Sequence, residues 1–183
     1  MQNTAPRTIV IGAIEGEYRR YRTLAEQALE QMTDDEVQEP GDPVRLSEAT
    51  IVRHVAGNLH SRFTDFLTSD GEKPWRNREG ELAPRSVTRA QLLEAWTEGW
   101  HALFHALSLL TDAQLGDSVT IRGQPLTISE ALHRSLAHTA YHVGQIVWSV
   151  KARRGDAWQS LSIPRGATEA YNRAPTRERP PAG

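Results

Sequence analysis

Apolar positions recur along the chain at intervals of three and four with polar residues between them, the pattern of long amphipathic helices. Four such segments are present. The first runs from about Arg7 to Met32, with Ile14, Tyr18, Tyr21, Ala25, Ala28 and Met32 on one stripe. Thr33 and Glu36 then have the spacing of a capping box for a short turn, and Pro40, Gly41 and Pro43 break the chain. The second helix is expected from near Ser47 to near Leu67, burying Val52, Val55, Leu59, Phe63 and Phe66. The third opens on a capping box at Thr88 and Gln91 and gathers Leu92, Leu93, Trp96, Trp100, Leu103, Phe104 and Leu107. The fourth, capped by Ser129, runs to about Arg154.

The connections carry their own signals. TSDGEKPWRNREGELAPRSV, between the second and third helices, has about 20 residues; loops of that length are commonly functional or disordered. SVTIRGQPLTI, residues 118–128, alternates around a Gly-containing turn and reads as a small β-hairpin. Short elements and loop follow Gly155, and NRAPTRERPPAG is expected to be disordered. The expected fold is all-α, a four-helix bundle with a hairpin before its last long helix. It forms one domain over residues 1–172, with a disordered tail over 173–183.

Composition narrows the chemistry. At 183 residues the chain can bury one substantial core, and a net charge of −2 with interspersed signs gives no nucleic-acid or anionic-membrane footprint. No stretch approaches the ~20 apolar residues of a membrane span. TIVIGAI lacks the length and cleavage pattern of a secretory signal, so the expected address is the cytoplasm. Cysteine is absent, which excludes disulfides, thiolate nucleophiles and Cys-ligated metals. GAIEG lies within a helical pattern and lacks the Lys-Ser/Thr of a nucleotide loop; H-E-x-x-H and G-x-S-x-G are absent.

That leaves seven histidines, which helical wheels at about 100° per residue sort by direction. On the fourth helix Leu132, Leu136, Ala140, Val143, Val147 and Val150 mark the apolar side, and His133, Ala137, Gly144 and Lys151 the side toward water. His138, His142 and Gln145 fall between the apolar side and the bulky Tyr141 and Trp148. They lie beside the small Ala131, Ser135 and Ser149 and so should line an open space inside the bundle. On the second helix His54, Asn58, Ser61 and Asp65 form one polar stripe, while Arg53, His60 and Thr64 take the outward side. His54 is the natural third partner of His138 and His142. His101 and His105 share the four-residue spacing but lie opposite Trp96 and Trp100, among Glu94, Glu98 and Ser108. That is a solvated face, not a site.

Imidazoles at i and i+4 can converge on one ion, and a third from a facing helix completes three corners of a tetrahedron or one face of an octahedron. Such a nitrogen set suits zinc or nickel first, iron or manganese next. Spacing and orientation leave a second reading open: buried polar residues satisfied by Asn58, Gln145 and one another.

HVAGNLHSRFTDFLTSDGEKPWRNRE (54–79), and LAHTAYHVGQIVW followed by SIPRG, resemble the DinB/YfiT-like superfamily. The nearest branch has the signature GN-x-x-SRFTDFL-x-x-DGEKPWR. The resemblance spans nearly the whole chain, to about Asn172. It implies a four-helix bundle that binds one divalent metal through a His on helix two and an H-x-x-x-H pair on helix four. Those positions fall on His54, His138 and His142. Characterised relatives of that kind are thiol S-transferases using low-molecular-weight thiols such as bacillithiol or mycothiol; others are proposed metal-dependent hydrolases.

Three functional readings follow. In the first the chain is an enzyme whose metal activates a thiol or water, with no catalytic side chain assigned. Asp65 or Glu72 would assist proton transfer, Arg76 and Arg78 would grip an anionic group, Trp75 would supply an apolar wall, and Asn58 and Gln145 would line the site. Against this, the GEKPWR loop reads equally as a solvent-exposed segment whose Trp packs on the bundle and whose arginines pair with Glu79 and Glu81. In the second reading the metal only ties helices together in a structural module, closed by a fourth ligand such as Asp65 or Gln145. In the third a stress-response protein forms a homodimer through the aromatic third helix, although core packing is the commoner use of Trp96 and Trp100.

Overall fold

A computed structural model of the chain describes residues 9–41, 44, 46–176 and 178. Its long helices are α1 (Ile9–Leu29), α3 (Glu48–Phe63), α5 (Arg89–Ser108) and α6 (Ile128–Arg154); α2 (Asp34–Gln38), α4 (Arg78–Leu82) and α7 (Thr168–Asn172) are short. The expected start at Arg7, the break at Pro43, and residues 177 and 179–183 of the expected tail lie outside the described residues. Among the described residues no helix is long and apolar enough to cross a membrane.

The four long helices form a bundle in which α3 packs most extensively on α5 and α1 on α6, with α3 also against α6. Gly99 permits the first pairing: a Cβ there would stand 2.6 Å from the Ala56 carbonyl oxygen, so only glycine lets α5 approach α3 so closely. Trp96 and Trp100 are fully buried, and Tyr18 meets Trp100 and Phe63 edge-on at 6.2 and 6.4 Å. Trp96 Nε1 donates to Glu26 Oε1 at 3.1 Å and the Tyr18 hydroxyl to the Leu132 carbonyl at 3.2 Å, so these two aromatics are satisfied within the core, whereas Trp100 Nε1 is buried with no hydrogen-bond partner among the described residues. Trp96 and Trp100 of α5 are therefore used for core packing. Leu93, expected on the buried face, is exposed.

Helix ends follow side-chain chemistry. Thr33 and Thr88 form the expected capping boxes with Glu36 and Gln91. The cap of α6 is Thr127, not Ser129, because Glu130 stands three residues after Thr127 and closes a box. The second long helix stops at Phe63 rather than Leu67. Thr64 takes an extended conformation and Asp65 a left-handed one (φ 48°), which turns the chain out of the helix.

Strands β1 (Ser118–Ile121) and β2 (Gln124–Thr127) form the expected hairpin, antiparallel with Val119 opposite Leu126. Arg122 and Gly123 make its two-residue turn, both at positive φ (54° and 71°) as a primed turn requires. Asp70 ties this turn to the loop after α3: its carboxylate accepts from the Arg122 and Gly123 amides at 2.8 and 2.7 Å. The Gly71 amide reaches the Thr120 carbonyl at 2.8 Å. The long connection is thus ordered, docked on the hairpin and folded into α4.

That docking alters α3. Arg53, expected to face outward, is buried and donates to the Ala83 carbonyl at 2.8 Å and to Thr50 Oγ1 at 3.2 Å. The segment around α4 covers the face that helical periodicity assigned to water. On α6 the buried line runs through Leu132, Ser135, Thr139, Val143, Ile146 and Val150, while Leu136 and Val147 are only partly buried. The helix is rotated so that its histidine stripe turns toward α3. His133, Ala137, Gly144 and Lys151 face water as expected.

Candidate metal centre

His54 on α3 and His138 and His142 on α6 converge. One ring nitrogen from each lies within 4.8 Å of the others, and among the described residues this is the one such grouping of His, Asp or Glu side chains. His54 Nε2 and His138 Nε2 are 3.3 Å apart. The ring centroids of His54 stand 5.3 Å from those of His138 and 5.0 Å from those of His142, and the two α6 rings are 4.5 Å apart. His54 is buried; the other two are half-buried.

The outer nitrogens fix how the rings face. Glu81 Oε2 accepts from His54 Nδ1 at 3.1 Å, while Arg76 grips the same carboxylate with two parallel bonds, Nε to Oε1 and Nη2 to Oε2, each 2.9 Å. Burial pushes the Glu81 carboxyl up, but the hydrogen bonds from His54 and Arg76 and the Arg76 charge outweigh it and hold it below the usual range. An ionised carboxylate only accepts, so a proton sits on His54 Nδ1 and the ring presents Nε2 inward. Gln145 Oε1 accepts from His142 Nδ1 at 2.7 Å and does the same for that ring. His138 Nδ1 is buried with no hydrogen-bond partner among the described residues. Burial, then the charges of His142, His54, Arg76 and Arg62, push His138 down to about 3. Burial, reinforced by His54, also lowers His142 against the opposing bond from Gln145.

These residues fit a divalent cation. Two nitrogens bound to one zinc at about 2.05 Å across a tetrahedral angle stand about 3.3 Å apart, the spacing of His54 Nε2 and His138 Nε2. Neutral imidazoles are the protonation state that ligation needs, and carboxylate or amide partners behind them are the usual orienting groups. The same 3.3 Å also accommodates one imidazole N–H donating to the other.

A cavity of about 280 Å³ opens beside the trio, with His54, Asn58, Arg76, Arg78 and His138 among its lining residues. Ala131 and Ser135 border it, as the small residues beside the histidine stripe implied. Asp65 is elsewhere: exposed beyond the end of α3, it shares a separate depression with His60, Glu98, His101 and His105. His101 and His105 are exposed, their rings parallel and 6.2 Å apart, as the solvated face requires. Trp75 does not line the cavity; it is 54% exposed and packs on the His60 ring at 4.8 Å. Glu72 holds Arg62 and Arg122, each at 3.0 Å. The reading of the GEKPWR loop as an exposed segment whose arginines pair with Glu79 and Glu81 holds for Trp75 and for both pairs, Arg78 with Glu79 at 3.2 Å and Arg76 with Glu81 at 2.9 Å, but Arg76 is not solvent-exposed: its side chain is 2% exposed.

Sequence reading missed the role of Glu81 and of the glycine that admits it. A Cβ on Gly57 would lie 2.2 Å from Glu81 Oε1, so the bare backbone of α3 is what lets the carboxylate cross to His54 one turn earlier. The available signal was an isolated glycine inside a strong helical pattern, three residues after a histidine.

The crystal structure of a DinB-like protein from Bacillus cereus ATCC 10987 is similar to 82% of this chain and 93% of that one, with a TM-score of 0.56 and 17% sequence identity; the likeness is one of fold. A family model described as "Protein of unknown function (DUF1572)" matches residues 8–167, and the chain belongs to that family. No curated protein matches the chain. The family and the fold both agree with the DinB/YfiT-like resemblance of the sequence.

Proposed function

We propose that His54, His138 and His142 bind one divalent metal ion and that the chain is a metal-dependent enzyme, a thiol S-transferase in its best-supported form. The observation that carries this reading is the convergence of three ring nitrogens within 4.8 Å beside a cavity open to a small molecule. When bound, such an ion acts as a Lewis acid toward a thiol or a water. The chain's own residues do the rest. Glu81 and Gln145 hold the His54 and His142 rings with Nε2 inward, and Arg76 keeps Glu81 ionised and in place. Because the chain has no cysteine, the thiol must come from outside as a substrate.

A purely structural ion would be closed by a fourth protein ligand. Among the described residues three histidines converge; Asp65 lies in another depression and Gln145 is engaged with His142 Nδ1. This supports an exchangeable position next to the cavity and therefore turnover. The test is thiol-dependent conjugation of an electrophile such as monochlorobimane by purified protein. Turnover should need the thiol and disappear on chelation or in His138→Ala. Absence of turnover with every common cellular thiol, in protein that carries metal, returns the centre to the structural reading.

A further inference from the structure

Five arginines line the cavity beside the histidines: Arg62, Arg76, Arg78, Arg122 and Arg134. Two are accounted for by the fold. Arg76 is spent on Glu81, and Arg62 donates to the Gly71 carbonyl and to Glu72. Burial lowers the pKa of the Arg62 guanidinium, and Glu72 opposes that shift by favouring the charged form.

The rim is different. Arg122 gives its Nε to the same Glu72 oxygen that Arg62 uses, and among the described residues Arg78 meets only the exposed Glu79. Arg134, on α6 one turn before His138, is exposed and has no hydrogen-bond or ion-pair partner among the described residues. Five guanidiniums thus line one cavity, with Glu72, Glu79 and Glu81 as their carboxylate partners, so the cavity carries more positive than negative charge. Low-dielectric walls strengthen such a field and attract anions. The floor is apolar, made by Phe63, Phe66 and Ile121. A small concave space with an apolar floor and convergent polar groups is how small-molecule sites are built.

We propose that this cavity binds a small organic anion. Its apolar body lies on Phe63, Phe66 and Ile121, its oxyanion head is held at the rim by Arg134, Arg122 and Arg78, and its reactive end points at His54 and His138. The last part rests on the metal reading above; the anion site does not. Carboxylate and phosphate share the recognising chemistry, two or three acceptor oxygens that match the guanidinium fork.

The experiment is calorimetric titration of full-length protein with phenyl phosphate, phenylacetate and neutral benzyl alcohol. It is run before and after chelation, with metal content measured in each sample. Arg134→Gln and Arg78→Gln alter exposed side chains and keep the fold. At least one of the two anions should bind, the tighter one naming the head group, and benzyl alcohol should not. Each rim variant should weaken anion binding about tenfold, the usual worth of one charge-assisted contact, and leave metal content unchanged. Anion binding that persists after chelation upholds this inference and leaves the metal reading untouched, whereas protein that carries no metal before chelation removes the metal reading alone. No anion binding by metal-bearing protein overturns the inference and leaves the metal reading standing. Anion binding that vanishes on chelation while both rim variants bind normally also overturns it, because the anion would then sit on the ion.

Discussion

Glu81 Oε2 and His54 Nδ1 are 3.1 Å apart, and this one bond links the loop after α3 to the histidine cluster. The carboxylate makes His54 a fixed tautomer, and the ring is aimed before any ligand arrives. Carboxylates in this position typically contribute 10–100-fold to metal affinity.

Glu81→Gln should therefore weaken metal binding by about 10–100-fold in a chelator competition while leaving the fold intact. Glu81→Ala should do the same and also destabilise the protein, because it removes the two-bond carboxylate partner of the buried Arg76 guanidinium and leaves it Glu72 at 3.8 Å. Removing one partner of a buried pair costs about 3–5 kcal/mol. Denaturant unfolding of the two variants separates the effects, and equal stability of both would contradict the buried-pair account.

Gly57→Ala should reproduce the Glu81→Gln phenotype without touching a charged residue. An added methyl group meets the Glu81 carboxylate at 2.2 Å, and that carboxylate is pinned by Arg76, so the His54 bond must give way. Glycine to alanine inside an exposed helix normally gains about 1 kcal/mol. Here the gain should be offset and metal affinity should fall. Gly99→Ala is the contrasting case: its methyl group meets the Ala56 backbone, which cannot move aside, so stability should fall with no direct effect on the histidines. Metal affinity lost equally in both variants would mean that Gly57 acts only through helix packing.

Acid should destabilise the metal-free protein through His138 and His142, whose folded pKa values are both depressed, that of His138 to about 3. An unfolded histidine titrates near 6.5. Above that pH neither state binds the proton and the folded protein has its full stability. As pH falls from about 6.5 toward 3 the unfolded chain takes up a proton that folded His138 refuses, and stability falls by up to about 1.4 kcal/mol per pH unit through that residue, with His142 acting in the same direction. His138→Gln should flatten that slope in unfolding titrations between pH 7.5 and 5. An unchanged slope would show that His138 is protonated in the folded state.

Much of this was legible from local pattern. The four long helices, the hairpin around Arg122-Gly123, the inward direction of His54, His138 and His142, and the outward direction of His101 and His105 all follow from periods of 3.6 and 2 and from turn chemistry. What was not legible depends on distant parts of the chain. Arg53 reads as solvent-facing until the α4 segment covers it, and Asp65 belongs to the polar stripe only if α3 continues past Phe63. The order of the GEKPWR loop comes from Asp70 binding the hairpin turn some fifty residues later, which no window of local sequence contains. The Thr127 cap, by contrast, was readable: only Thr127 has a glutamate three positions on.

Elemental analysis of the purified protein and its histidine variants tests the central claim most directly. Wild type should carry about one divalent ion per chain, His54→Ala, His138→Ala and His142→Ala should each lose it, and His101→Ala with His105→Ala should retain it. A wild-type protein without bound metal after growth and purification in metal-sufficient, chelator-free buffer, or full retention in the His54 and His138 variants, would contradict the account.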